Sequence, residues 1–186
     1  MAHPSGVVKW YEELFDQEGE LVATATILTL VQKKSPFAQI DRSNIESYLD
    51  NLTEDSKAEW GILTPQHMVE HLEFFMRMAN GQYTSRLFTP EAEIEKYQES
   101  IYNHRKMPRS FDHPLLQKGK NEDLRFADLA EAKKMFLKAY DDFETFFKEN
   151  PDATTLNPIF GSLDKYLWDL SNIKHFNHHF EQFGLL

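Results

Sequence analysis

The chain has 186 residues, 41% hydrophobic and 13% aromatic, enough for one substantial core with a small appendage. A net charge of −10 without a Lys/Arg cluster provides no phosphate-binding stripe, so no nucleic-acid partner is expected. The absence of Cys rules out disulfides and thiolate chemistry from the chain itself. No apolar run approaches the ~20 residues of a membrane-spanning helix, and the N-terminus lacks the basic-then-apolar pattern of a signal peptide. The expectation is a cytoplasmic protein with no membrane partner.

The first 35 residues differ in texture from the rest. Val7 to Phe15 and Leu21 to Val31 are rich in β-branched and aromatic residues, with Thr24, Thr26 and Thr29 interleaved. Between them Asp16-Gln17-Glu18-Gly19-Glu20 has turn chemistry, with Gly19 free to take positive φ. Residues 1–35 therefore read as a β-hairpin segment closed by Lys33-Lys34-Ser35-Pro36. The runs Gly6-Val7-Val8-Lys9-Trp10, Asp16 to Ala23 and Ile27 to Val31 resemble the end of MaoC-like hotdog hydratases. The nearest likeness is to the hydratase part of the oxepin-CoA hydrolases of phenylacetate degradation. That resemblance implies a remnant of a larger sheet and covers terminal strands only. It includes none of the family's catalytic Asp/His segment, so this chain alone is not expected to hydrate a CoA thioester.

Residues 36–186 read as helical. Asp41 to Asn44 starts a helix whose apolar positions are Ile45, Tyr48, Leu49 and Leu52, and residues 53–60 continue as a short helix or turn. Thr64 is an N-cap with Pro65 at the first helical position, and that helix runs to Asn80-Gly81. A third helix spans 89–104, capped by Thr89, and a loop follows from Arg105 to Asp123. The longest helix spans 126–150, with Leu129, Ala132, Phe136, Ala139, Tyr140, Phe143, Phe146 and Phe147 on its buried stripe. After a turn-rich link, Ser162 caps the last helix.

Three of the eight histidines fall within 175–179 on that last helix. His175 and His179 are one turn apart on one face, the spacing that lets two imidazoles hold one metal ion. Trp168, Ser171, Asn172, His178 and Gln182 share their arc, which carries no Lys, Arg or Glu. Such an arc suits a buried or cleft-lining site. On the second helix, His71 lies on the same side as Met68, Phe74, Phe75 and Met78 and points into the core, whereas Glu70, Glu73 and Arg77 fall on the other side.

Several motifs over 41–186 together resemble the DinB-like metal-binding proteins, in an uncharacterised branch. They are Trp60-Gly61, Thr64-Pro65-Gln66-His67-Met68-Val69-Glu70-His71-Leu72, Arg105-Lys106-Met107-Pro108, Asn157-Pro158-Ile159-Phe160-Gly161 and Lys174 to Leu185. The resemblance implies a mainly α fold, an up-down four-helix bundle preceded here by the hairpin. It also implies a divalent metal, Zn, Ni or Fe, held by His71, His175 and His179. His67, His178 and Gln182 are then candidate outer-shell groups, and His67 a candidate fourth ligand. His3, His104 and His113 carry no pattern.

Three imidazoles leave positions open on an ion for water or substrate. The functional expectation is a metal-dependent hydrolase or thiol-dependent transferase acting on a small molecule. The alternatives are a non-catalytic, metal-stabilised binding or dimerisation module, and the C-terminal part of an oxepin-CoA hydrolase-type protein. A homodimer through the hairpin or the apolar arc of the last helix fits the binding-module reading. Glu70 and Glu181, the carboxylates nearest in sequence, point about 100° from the His face by helical period, so no general base emerges.

Overall fold

The computed structural model describes residues 5–32, 35–109 and 119–186. It divides into two compact units, Met1–Pro36 and Phe37–Leu186. Lys33 and Lys34 of the hairpin closure, His3, His113 and most of the 105–123 loop's central part lie outside the described residues.

The first unit is an antiparallel hairpin of β1 (Ser5–Phe15) and β2 (Leu21–Gln32). Its turn forms as its residues dictate. One Asp16 carboxylate oxygen accepts from the backbone N–H of Glu18 and Glu20, at 3.0 and 2.8 Å, and Gly19 takes φ +86°. Pairing runs from Ser5↔Gln32 to Leu14↔Ala23, then shifts by one residue at Leu14/Phe15. The Trp10 indole N–H donates to Thr29 Oγ1 at 3.2 Å.

The second unit is mainly helical: α1 (Arg42–Asn51), α2 (Pro65–Ala79), α3 (Ile94–Tyr102), α4 (Leu129–Glu149) and α5 (Lys165–Gln182). Two three-residue strands, β3 (Thr155–Asn157) and β4 (Gly161–Leu163), pair antiparallel between α4 and α5. The α2 termini match the sequence. Thr64 caps the first turn, Pro65 opens it, and Gly81 follows the Asn80 C-cap at φ +76°. Asp41 forms a capping box with Asn44 at the start of α1.

Three starts differ from the sequence reading. Helix α4 begins at Leu129 rather than 126, because the Asp128 carboxylate caps the Glu131 N–H at 2.8 Å while Glu131 accepts from the Ala127 N–H. Helix α5 is capped by Asp164, whose side chain accepts from the Leu167 N–H; Ser162 lies in β4. Ahead of α3, Pro90 leads into a short 3₁₀ turn, Glu91–Glu93, and no side chain caps it. Residues 53–60 form turns, not a helix.

Helix α2 packs chiefly on α4, and α5 packs on α2, α3 and β4. The core joins Met68, Leu72 and Met76 of α2 to Phe136 and Phe143 of α4 and to Trp168, Phe176 and Phe180 of α5. A half-buried hydrogen-bond relay fastens three elements: the Trp168 indole donates to Thr155 Oγ1 at 2.7 Å, and that hydroxyl donates to the Ala79 carbonyl at 2.7 Å. Lys174 is buried on α5. Its ammonium donates to the Asn103 carbonyl at 2.8 Å and to that of Ser100, holding the C-terminal end of α3. Burial lowers its pKa to about 8.

Glu70 and Glu73, placed by helical period away from His71, are not solvated. Glu70 accepts from the backbone N–H of Arg125 and Phe126, at 2.7 and 3.2 Å, and from Gln66 at 3.0 Å. Glu73, with 0% of its side chain exposed, pairs with Arg125 at 2.6 Å and with Arg77. Both carboxylates thus clamp the segment entering α4 onto α2. Removing the shared cation leaves Glu73 buried with one partner fewer, so Arg125→Met is expected to cost about 3 kcal/mol. The check is a lower urea midpoint at unchanged m.

Candidate metal centre

Helix α2 supplies His71, and α5 supplies His175 and His179. Each offers a ring nitrogen, and the three ligand atoms all lie within 4.8 Å of one another. His71 Nε2 and His175 Nε2 are 2.8 Å apart. The rings meet edge to face, with centroids 4.7–4.8 Å apart in all three pairs. Phe75 packs on His71 and His175, at 4.8 and 5.0 Å, and walls one side of the group.

His179 is buried and oriented by Gln182. The Gln182 amide N–H donates to the Trp60 carbonyl at 2.7 Å, which leaves its Oε1 to accept from His179 Nδ1 at 2.8 Å. The direction of that relay assigns the His179 proton to Nδ1 and turns the Nε2 lone pair towards the other rings. Burial, reinforced by His178, lowers the His179 pKa to about 3, so this imidazole is neutral. Gly61 makes the relay fit: it takes φ +78°, and a Cβ there would stand 2.9 Å from Gln182 Nε2.

The remaining candidates lie outside the group. His67 engages Thr64 Oγ1 through Nδ1 at 2.6 Å and the Glu122 carbonyl through Nε2 at 3.1 Å, so both its nitrogens serve the start of α2. His178 packs on His179 and Trp60, at 5.0 and 5.7 Å, and lines a cleft with Phe37, Met107 and Arg109. Glu70 is committed to the clamp described above, and Glu181 pairs with Lys106 at 2.6 Å. Asn157 accepts from the N–H groups of Ile159 and Phe160 and shapes the β3–β4 turn. Sequence reasoning placed Gln182 on the His arc. It missed the Trp60 carbonyl, whose contribution is backbone and leaves no compositional trace.

The donor set could hold a metal ion. Three nitrogens on one tetrahedral ion at ~2.0–2.1 Å stand about 3.3 Å apart. The trio spans 2.8 to at most 4.8 Å, so it reaches that spacing by small ring movements. Its three imidazoles, with His179 neutral and hydrogen-bonded through its second nitrogen, are donors of the kind that can hold a metal ion.

Compared with protein-family models, curated proteins and solved structures, the chain has no match.

A buried neutral His179 sets a pH dependence in chelator-treated protein. Its folded pKa of about 3 lies below the ordinary 6.5, so the unfolded chain binds the proton more readily. Neutral His179 therefore stabilises the fold fully above pH 6.5, and that stabilisation is lost as pH falls towards 3. Thermal melts across that range should fall more steeply for the parent than for His179→Leu.

Proposed function

We propose that the chain is a DinB-like metal-binding protein in which His71, His175 and His179 hold one divalent ion, Zn, Ni or Fe. We read it as a metal-dependent hydrolase or thiol-dependent transferase. The observation carrying this reading is the convergence of three imidazoles from two helices, with His179 held in one tautomer by the Gln182–Trp60 relay. The motifs shared with DinB-like proteins and the helical character of residues 37–186 support it, and an up-down four-helix bundle is the architecture it implies.

When bound, such an ion supplies Lewis acidity and makes a coordinated water or thiol more acidic near neutral pH. The chain's own residues prepare the place for it. Gln182 fixes the His179 ring, Phe75 excludes water from one flank, and the burial of His179 keeps it an electron-pair donor.

A second reading is a non-catalytic, metal-stabilised binding module. One observation favours it: Glu70 and Glu181 are both engaged elsewhere, so neither stands ready as a general base.

Elemental analysis of untagged protein is the test. About one Zn, Ni or Fe per chain is expected by the three-ligand count, and it should be lost in His175→Ala/His179→Ala. Gln182→Leu should retain the fold and weaken metal binding by about 10–100-fold. A parent that stays metal-free after reconstitution overturns the reading. A loaded protein inactive in hydrolase and thiol-transfer screens favours the binding module.

A further inference from the structure

The metal centre leaves the N-terminal hairpin without a role. Two strands alone are marginal in water, yet this hairpin presents Val7, Tyr11, Phe15 and Leu28 on one face and Trp10 and Leu14 on the other, all exposed. A strand edge of this length is a template for pairing unless its charges oppose it. Strand β2 has no charged residue, so nothing on it sets a register. Strand β1 carries Lys9, Glu12 and Glu13, and their spacing is informative.

We propose that β1 is the interface of a two-fold dimer, its outer edge pairing antiparallel with β1 of a second copy about Tyr11. In that register Lys9 stands opposite the second copy's Glu13, and by symmetry the same pair forms twice. Val7 meets Phe15, Val8 meets Leu14, and Tyr11 meets its own counterpart on the axis.

The neighbouring registers are worse for identifiable reasons. Centring on Lys9, Glu12 or Glu13 sets two like charges directly against each other. Centring on Trp10 sets Val7 against Glu13 and Val8 against Glu12 and pairs no opposite charges. Among these registers only the Tyr11 one joins cation to anion, and apart from Trp10 against Glu12 it sets apolar against apolar along the edge. It turns two marginal hairpins into one four-stranded sheet, β2-β1-β1-β2, with main-chain hydrogen bonds supplying the contact. This inference is independent of the metal centre, whose residues all lie in the other unit.

Sedimentation velocity over a concentration series tests it on the full chain. The parent should show a monomer–dimer equilibrium. Lys9→Glu sets Glu against Glu at both symmetric positions and should weaken the dimer at least tenfold, whereas Lys9→Glu/Glu13→Lys should restore it. Because the chain has no Cys, Tyr11→Cys introduces a single thiol at the axis. Mild oxidation should link it into covalent dimers, while Thr24→Cys, on the same face but on β2, should stay unlinked. An unchanged far-UV helical signal shows that the helical unit is intact, and recovery of the dimer in Lys9→Glu/Glu13→Lys shows that the hairpin tolerates the charge changes. A parent that is monomeric throughout overturns the proposal. So does a dimer indifferent to Lys9→Glu, or one that Thr24→Cys links as readily as Tyr11→Cys.

Discussion

The enclosure of helix α5, buried or half-buried along all but its first turn, is the constraint on which the helical unit depends. From Leu167 to Phe183 no residue of this segment is exposed. Its apolar residues enter the core, and its polar ones must then find partners inside. Lys174 finds the end of α3, Asn177 the backbone of Ala38, and Trp168 the Thr155 hydroxyl. An unmet polar group here would cost about 1–3 kcal/mol. The helix is therefore a hub whose hydrogen bonds locate α3, β3 and the 37–41 segment as firmly as its packing locates α2.

The histidine group follows from this arrangement. A buried helix with polar side chains aimed inward can gather imidazoles only where a neighbour offers another. Helix α2 does so at His71 because the clamp made by Glu70, Glu73 and Arg125 occupies its adjacent face. The division of labour on α2 is sharp: carboxylates hold the chain entering α4, and the imidazole turns to α5. Two sets of ionisable groups thus share one helix without interfering.

Much of this was legible in the sequence, where local chemistry alone decides. The Thr64-Pro65 start, the Asn80-Gly81 stop, the apolar stripe of α4 and the Asp16–Glu20 turn all stand as their residues indicate. The charge-free arc of α5 likewise announced a helix without a solvated face. What failed was decided by competition or by distance. Asp128 outcompeted residues further upstream as a cap, and Asp164 outcompeted Ser162, because a nearby carboxylate satisfies the first N–H groups of either helix. The helical period set Glu70 and Glu73 away from His71 but did not show their shared partner, because Arg125 lies more than fifty residues away in sequence. The Trp60 carbonyl, being backbone, could not be read from side-chain patterns at all.

The trio joins two very different length scales along the chain. His175 and His179 come together as soon as one turn of α5 forms, whereas His71 lies 104 residues from His175. Closing a loop of that size has an entropic cost that only the docked core offsets. The local pair is thus present in any species where α5 has formed, and the third imidazole arrives only with tertiary assembly. For the metal site proposed above, an ion held by three donors rather than two would report that α2 and α5 have docked.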